Sequence, residues 1–387
     1  MELSETLSNL DKEIHDFNRI YSCYLDSPFN PGAHKHVNER INHFRRSISG
    51  IKPSDKFEEL FLEHLDHGLS VQGEFSNFLI DFNSKRSTAE ITDIVMGPGT
   101  YENLENMIRN YDWEGLWKST LFESKEALIK IRTDDKEVQD KIEAMIPQIK
   151  QDILEYADGH GILPKNKEFD VVKLPTTGSD RSNWNAELKR LELGNQGFSA
   201  KKEHGKIILN PMFAYYAMFH EVMGHASHQF CSEGLPLNLQ MKGHNCYNMV
   251  YGPLAEGLAQ DREKLVIPYL RSQGGRLGIS GDDIEDLEIK LNRPENSSHW
   301  HKVLMFERKM REPGFCISDH YESLGFSPRL SRLNQNVRPE ESFVQGMLEL
   351  KYFAGNLLMK EAKKNIESRS KSGELGATES EINLAMS

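Results

Sequence analysis

Two histidines five residues apart, inside an apolar and helix-patterned stretch, constrain this chain more than any other feature. They lie in Phe219-His220-Glu221-Val222-Met223-Gly224-His225-Ala226-Ser227-His228-Gln229. On a regular helix of 3.6 residues per turn, a five-residue step lands about 140° past a full turn, against about 40° for a four-residue step. Side chains so separated face different ways. A one-residue π-bulge returns them to one face, and such bulges are frequent at functional sites. Gly224 stands where the distortion is easiest. The segment predicts a helix, and a distorted one.

The rest of the chain is also patterned for helix. Leu3, Leu7, Leu10, Ile14, Phe17, Tyr21 and Tyr24 alternate spacings of four and three, one apolar seam of a bundle helix. Periodic segments recur near 34–48, 54–84, 101–120 and 134–157, broken by Gly97-Pro98-Gly99 and Gly159-His160-Gly161. After Pro164 the pattern changes. Residues 169–174 and 206–210 read as short strands, with a polar, turn-rich run from Thr176 to Asn185 between them. Helical patterns return near 212–231, 253–271, 282–292, 298–311 and 341–366. The expected fold is mainly α, a helical shell around a deep cleft, with a small sheet built from the two strands beside the histidine helix. The expected divisions are a helical region 1–164, a catalytic region 165–367, and a flexible tail 368–387.

Two imidazoles flanking a glutamate on an apolar helix are a zinc-site pattern, with the glutamate as base. With 15 histidines in 387 residues, His-Glu-x-x-x-His arises by accident in about one such chain in twenty. The reading therefore needs a third ligand. Tyr251-Gly252-Pro253-Leu254-Ala255-Glu256-Gly257-Leu258-Ala259-Gln260 offers Glu256, a carboxylate set among Leu254, Ala255, Leu258 and Ala259. A charge placed there is buried, and buried charges are paired or metal-bound. Zn²⁺ on His220, His225 and Glu256 leaves a fourth position for water, with Glu221 as general base. His228 replaces His225 as ligand if the helix around it is regular.

These residues resemble known families. His220-Glu221-Val222-Met223-Gly224-His225 matches the His-Glu-x-x-Gly-His motif of dipeptidyl peptidase III. Glu256-Gly257-Leu258-Ala259 is similar to the Glu-Gly-Trp-Ala segment of a group of helical bacterial metallopeptidase-like proteins. That group carries His-Glu-x-x-Pro-Gly-His, one residue longer between the ligands, and a late Gly-Gln-x-x-x-Tyr-x-x-Gly segment. Tyr352-Phe353-Ala354-Gly355 resembles its second half, while Gln345 departs from its first. Both groups are gluzincins, zinc peptidases with two His and one Glu as ligands. The resemblance spans about residues 205–360. It implies a zincin-like catalytic region, and an oxyanion held by a distant Tyr or His. His320, Tyr321 and Tyr352 are the candidates for that role. In zincins the edge strand pairs with an extended peptide, which gives 206–210 a substrate-binding place. Gln345, Glu349, Tyr352 and Asn356 form a polar stripe beside an apolar face, and Gly355 lets another backbone come close.

Charge and cysteine content narrow the class further. Acidic residues outnumber basic ones 59 to 47, a formal charge of −12, which opposes non-specific nucleic-acid binding and docking on anionic membranes. No stretch approaches the roughly 18 apolar residues of a transmembrane helix. The acidic start Met1-Glu2-Leu3-Ser4-Glu5 is unlike a signal peptide. Cys23, Cys231, Cys246 and Cys316 form no CxxC pair. A cytoplasmic protein is expected. A serine or cysteine hydrolase lacks its motif here. The expected function is a zinc-dependent hydrolase cleaving amide bonds in short peptides. Its rivals are a metal-dependent tailoring enzyme acting on a small molecule and an inactive scaffold stapled by zinc, which a Cys231 ligand would favour.

Overall fold

The structure is a computed structural model. It describes residues 3–25, 31–80, 136–164, 167–174, 182–194, 198–203, 206–240 and 251–291, with scattered positions between 90 and 102 and between 305 and 372. Helix dominates, with a small mixed sheet, and no described helix is long and apolar enough to cross a membrane.

Helix α1 (Glu5–Leu25) carries the expected seam, with Leu7, Leu10, Ile14, Phe17 and Tyr21 buried. It packs with α2 (Pro31–Ser49) and α3 (Lys56–Ile80), whose Phe44, Phe61, Leu65 and Leu69 complete the local core. The Tyr21 hydroxyl and that of Ser76 share a buried hydrogen bond of 3.1 Å. Glu58 ties two helix starts together, accepting the Ser4 N–H at 2.7 Å and the Ser54 N–H at 2.8 Å. Its own N–H donates to Asp55, the cap of α3, so the carboxylate belongs to a capping arrangement.

Helix α4 (Lys136–Gly159) ends where Gly161 adopts φ 63° and Ile162 N–H bonds the Ala157 carbonyl. Its buried Val138, Ile142, Ile149 and Ile153 enter the same core as Tyr215, Phe219 and Tyr269 from the second half of the chain. Asp152 anchors this junction. Its carboxylate accepts Tyr215 O–H at 2.5 Å, Arg276 at 2.8 Å and Gln148 at 2.8 Å. Burial alone would raise its pKa, but these donors outweigh burial and hold it low.

The two expected strands do not share a sheet. Strand β1 (Asp170–Lys173) pairs in parallel with β3 (Arg190–Leu193), which pairs antiparallel with β2 (Asn183–Asn185). The order β1-β3-β2 leaves β2 at an edge. Strand β4 (Ser199–Glu203) forms a separate hairpin with β5 (Lys206–Asn210). The β2 strand lies inside the run read as turn, because three residues are too few to show a period.

Beyond β5 come α5 (Met212–Met218), a π-helical segment Phe219–Ala226, α6 (Ser227–Ser232), and a 3₁₀ turn Leu237–Leu239. That turn is held by α1: the buried Asp11 carboxylate accepts the Leu237 N–H at 2.6 Å and the Asn238 N–H at 3.0 Å. The segment expected as one helix near 253–271 is two, α7 (Tyr251–Glu263) and α8 (Val266–Leu277). Pro268 explains the break, since its ring clashes with the carbonyl four residues back and it has no N–H to donate. Helix α9 (Gly281–Leu291) follows. The segments expected near 101–120, 298–311 and 341–366, and the tail, lie largely outside the described residues.

Candidate metal centre

The distortion demanded by the five-residue spacing is present. Phe219–Ala226 is π-helical, and Ser227 N–H reaches back to the Val222 carbonyl, five residues away. A π-helix has about 4.4 residues per turn, so a five-residue step overshoots by only about 50°. The Ser227 hydroxyl sits on the Met223 carbonyl and, at 3.0 Å, on that of Gly224, tying the end of the π-turn. The His220 and His225 rings stand 5.1 Å apart and nearly perpendicular.

Helix α7 brings Glu256 to them. Its Oε2 is 3.7 Å from His220 Nε2 and 3.7 Å from His225 Nε2. That is too long for a hydrogen bond. It is close to the roughly 3.3–3.6 Å separating any two ligands of a tetrahedral ion with bonds of about 2.0–2.2 Å. Among the described residues, His220, His225 and Glu256 form a group whose donor atoms lie within 4.8 Å of one another and could hold a metal ion. His228 is not part of it, and neither is Cys231, which is exposed.

The approach of α7 depends on two glycines. A Cβ on Gly224 would lie 2.4 Å from Ala259 Cα and 2.6 Å from Ala259 Cβ. Gly224 has no left-handed φ, so it is required for close packing rather than for conformational freedom. On another side of α7, a Cβ on Gly257 would lie 2.1 Å from the Gly355 carbonyl oxygen. The expected close backbone approach at Gly355 is therefore real, and it falls beside the Glu256 turn. Lys363 adds a second tie, donating to Asp261 at 2.7 Å. Tyr352 is helical and half-buried, one turn before Gly355. His320 and Tyr321 lie outside the described residues.

Glu221 follows His220 but stands outside the group of His220, His225 and Glu256. It accepts the backbone N–H of Trp184 in β2 at 2.9 Å. Gln229 secures that strand, accepting the Trp184 indole N–H at 2.7 Å and donating to the Ala186 carbonyl at 2.9 Å. Burial pushes the Glu221 carboxyl up to about 7, with His220 opposing the rise and Glu256 adding to it. The strand whose backbone reaches the site is thus β2. Strand β5 instead pairs with β4, packs against α4 and, through Asn210, bonds Asp283 at 3.1 Å.

One residue of this site was not anticipated. Glu263 Oε2 lies 2.8 Å from His220 Nδ1 and accepts the Tyr216 hydroxyl at 2.9 Å. The signal was available, since Glu263 follows Glu256 by seven residues, two turns on one helical face. Burial lowers the His220 pKa, but Glu256 and Glu263 outweigh it and hold the ring well above the ordinary histidine range. Three carboxylates around two imidazoles favour a bound positive charge, and the imidazole–carboxylate donor set suits a divalent metal. Compared with protein-family models, curated proteins and solved structures, the chain matches none.

Proposed function

We propose that the protein is a zinc-dependent hydrolase of gluzincin type that cleaves peptide bonds in short peptides in the cytoplasm. The observation carrying this reading is the placement of Glu221: a carboxylate adjacent to the His220, His225 and Glu256 group, outside it, and oriented by its own hydrogen bond. A purely structural centre is closed by four protein ligands and has no use for a free carboxylate beside it.

His220, His225 and Glu256 would hold the ion, which when bound supplies Lewis acidity and lowers the pKa of water toward about 7. Glu221 takes the proton of the attacking water and delivers it to the leaving amine. The Trp184 N–H fixes one carboxylate oxygen, leaving the other to meet the water. Tyr352, on the segment packed against Gly257, is the donor to the developing oxyanion.

The test is Glu221→Gln. Turnover of a peptide library should vanish while metal content stays near one ion per chain. A Gln variant with wild-type turnover would remove Glu221 from the base role.

A further inference from the structure

We infer that Glu263 is a positioning residue of the metal centre, fixing His220 in the tautomer whose Nε2 lone pair faces the ion. The inference rests on His220, His225 and Glu256 being metal ligands. It does not depend on which bond the protein cleaves.

The geometry is specific. A carboxylate can only accept, so the 2.8 Å contact between Glu263 Oε2 and His220 Nδ1 places the ring proton on Nδ1. The lone pair of the neutral ring is then on Nε2, the atom that faces Glu256 across 3.7 Å. One helix, α7, thereby addresses both ends of one imidazole: Glu256 stands at the Nε2 side and Glu263, two turns later, at the Nδ1 side. The Glu263 carboxylate is held in turn. Tyr216 lies one turn before His220, and its hydroxyl donates to the same Oε2 at 2.9 Å. Glu263 is 9% exposed, so water competes little for these bonds. A ligand imidazole freed from such a partner samples both tautomers and rotates about χ2, and loss of an outer partner of this kind typically weakens metal binding by about 10–100-fold.

The experiment uses the full chain, stripped of metal and titrated with Zn²⁺ against a chromophoric chelator. His220→Ala should lose tight binding altogether. Glu263→Ala should bind about 10–100-fold more weakly than wild type. Glu263→Gln, which keeps an uncharged acceptor, should fall between the two. Tyr216→Phe should fall between wild type and Glu263→Gln. Melting of the metal-free forms separates loss of fold from loss of affinity. If Glu263→Ala does not fold, Glu263→Gln carries the test. A second readout is the ¹⁵N shift pair of the His220 ring in metal-free protein, taken at a pH high enough to leave that ring neutral, which should report Nδ1–H in wild type and a mixed population in the Glu263 variant. Folded Glu263 variants with wild-type zinc affinity and an unchanged tautomer would overturn the inference and leave the metal site standing. A wild-type chain that binds no zinc, or a His220→Ala variant that binds as well as wild type, would overturn the site itself.

Discussion

Gly224→Ala is the sharpest probe of how the centre is assembled. The new methyl would sit 2.4 Å from Ala259 Cα and 2.6 Å from Ala259 Cβ, whereas carbon atoms rest at about 3.5–4.0 Å. The shortfall is at least about 1.1 Å, and the atoms it meets are backbone and a methyl, neither of which can swing aside. Helix α7 must therefore move outward by about 1 Å, carrying Glu256, which lies one turn before Ala259. A metal site tolerates only about 0.2 Å in ligand distance. Overpacking of this kind costs about 1–3 kcal/mol of stability, yet the effect on metal binding should be larger, because one of the three groups proposed to hold the ion leaves. The expected result is a folded protein, modestly destabilised in urea when metal-free, with zinc affinity at least about tenfold weaker by chelator competition. Gly275→Ala is the control: nothing lies within 4 Å of a Cβ there, so it should leave affinity unchanged and stability equal or slightly higher. A Gly224→Ala protein with wild-type zinc affinity would refute the argument that this helix contact sets the ligand geometry.

Two further variants test the proposed oxyanion donor and the Glu58 capping arrangement. Tyr352→Phe should lower kcat about a hundredfold or more, the loss of one oxyanion donor worth roughly 2.7–4 kcal/mol, with KM and zinc content little changed; wild-type kcat would pass the role to His320 or Tyr321. The Glu58 carboxyl is held at about 2, against an ordinary 4.5, chiefly by the Ser4 and Ser54 N–H groups. Its folded pKa is depressed, so its contribution is present above about 4.5 and fades as pH falls toward 2. Melting curves of wild type and Glu58→Gln should converge across that window, and a difference independent of pH would contradict the assignment.

Among the described residues, the sequence by itself determined most of the helices and named the group that could hold a metal ion. Helical periodicity is local: the seam Leu7, Leu10, Ile14, Phe17 and Tyr21 is written at spacings of three and four, and it is buried as written. The ligand pattern is also nearly local. The five-residue step from His220 to His225 required a π-turn, because hydrogen bonding and residues per turn fix where a side chain points. Glu256 was legible as a carboxylate that an apolar turn would bury. Tertiary structure decided what these neighbourhoods could not contain. Strand pairing is non-local, so residues 170–173 joined β3 and β2 rather than 206–210, and a three-residue strand brought the Trp184 N–H to Glu221. Gly224 was legible as a point of distortion, but its function is set by Ala259, 35 residues later, which no local pattern reveals. Glu263 was one of many acidic residues until the packing of α7 on the π-helix put it against His220 Nδ1. Periodicity settles which face of an element is apolar; only packing settles which distant atom that face meets, because that depends on the joint fit of every element in the core.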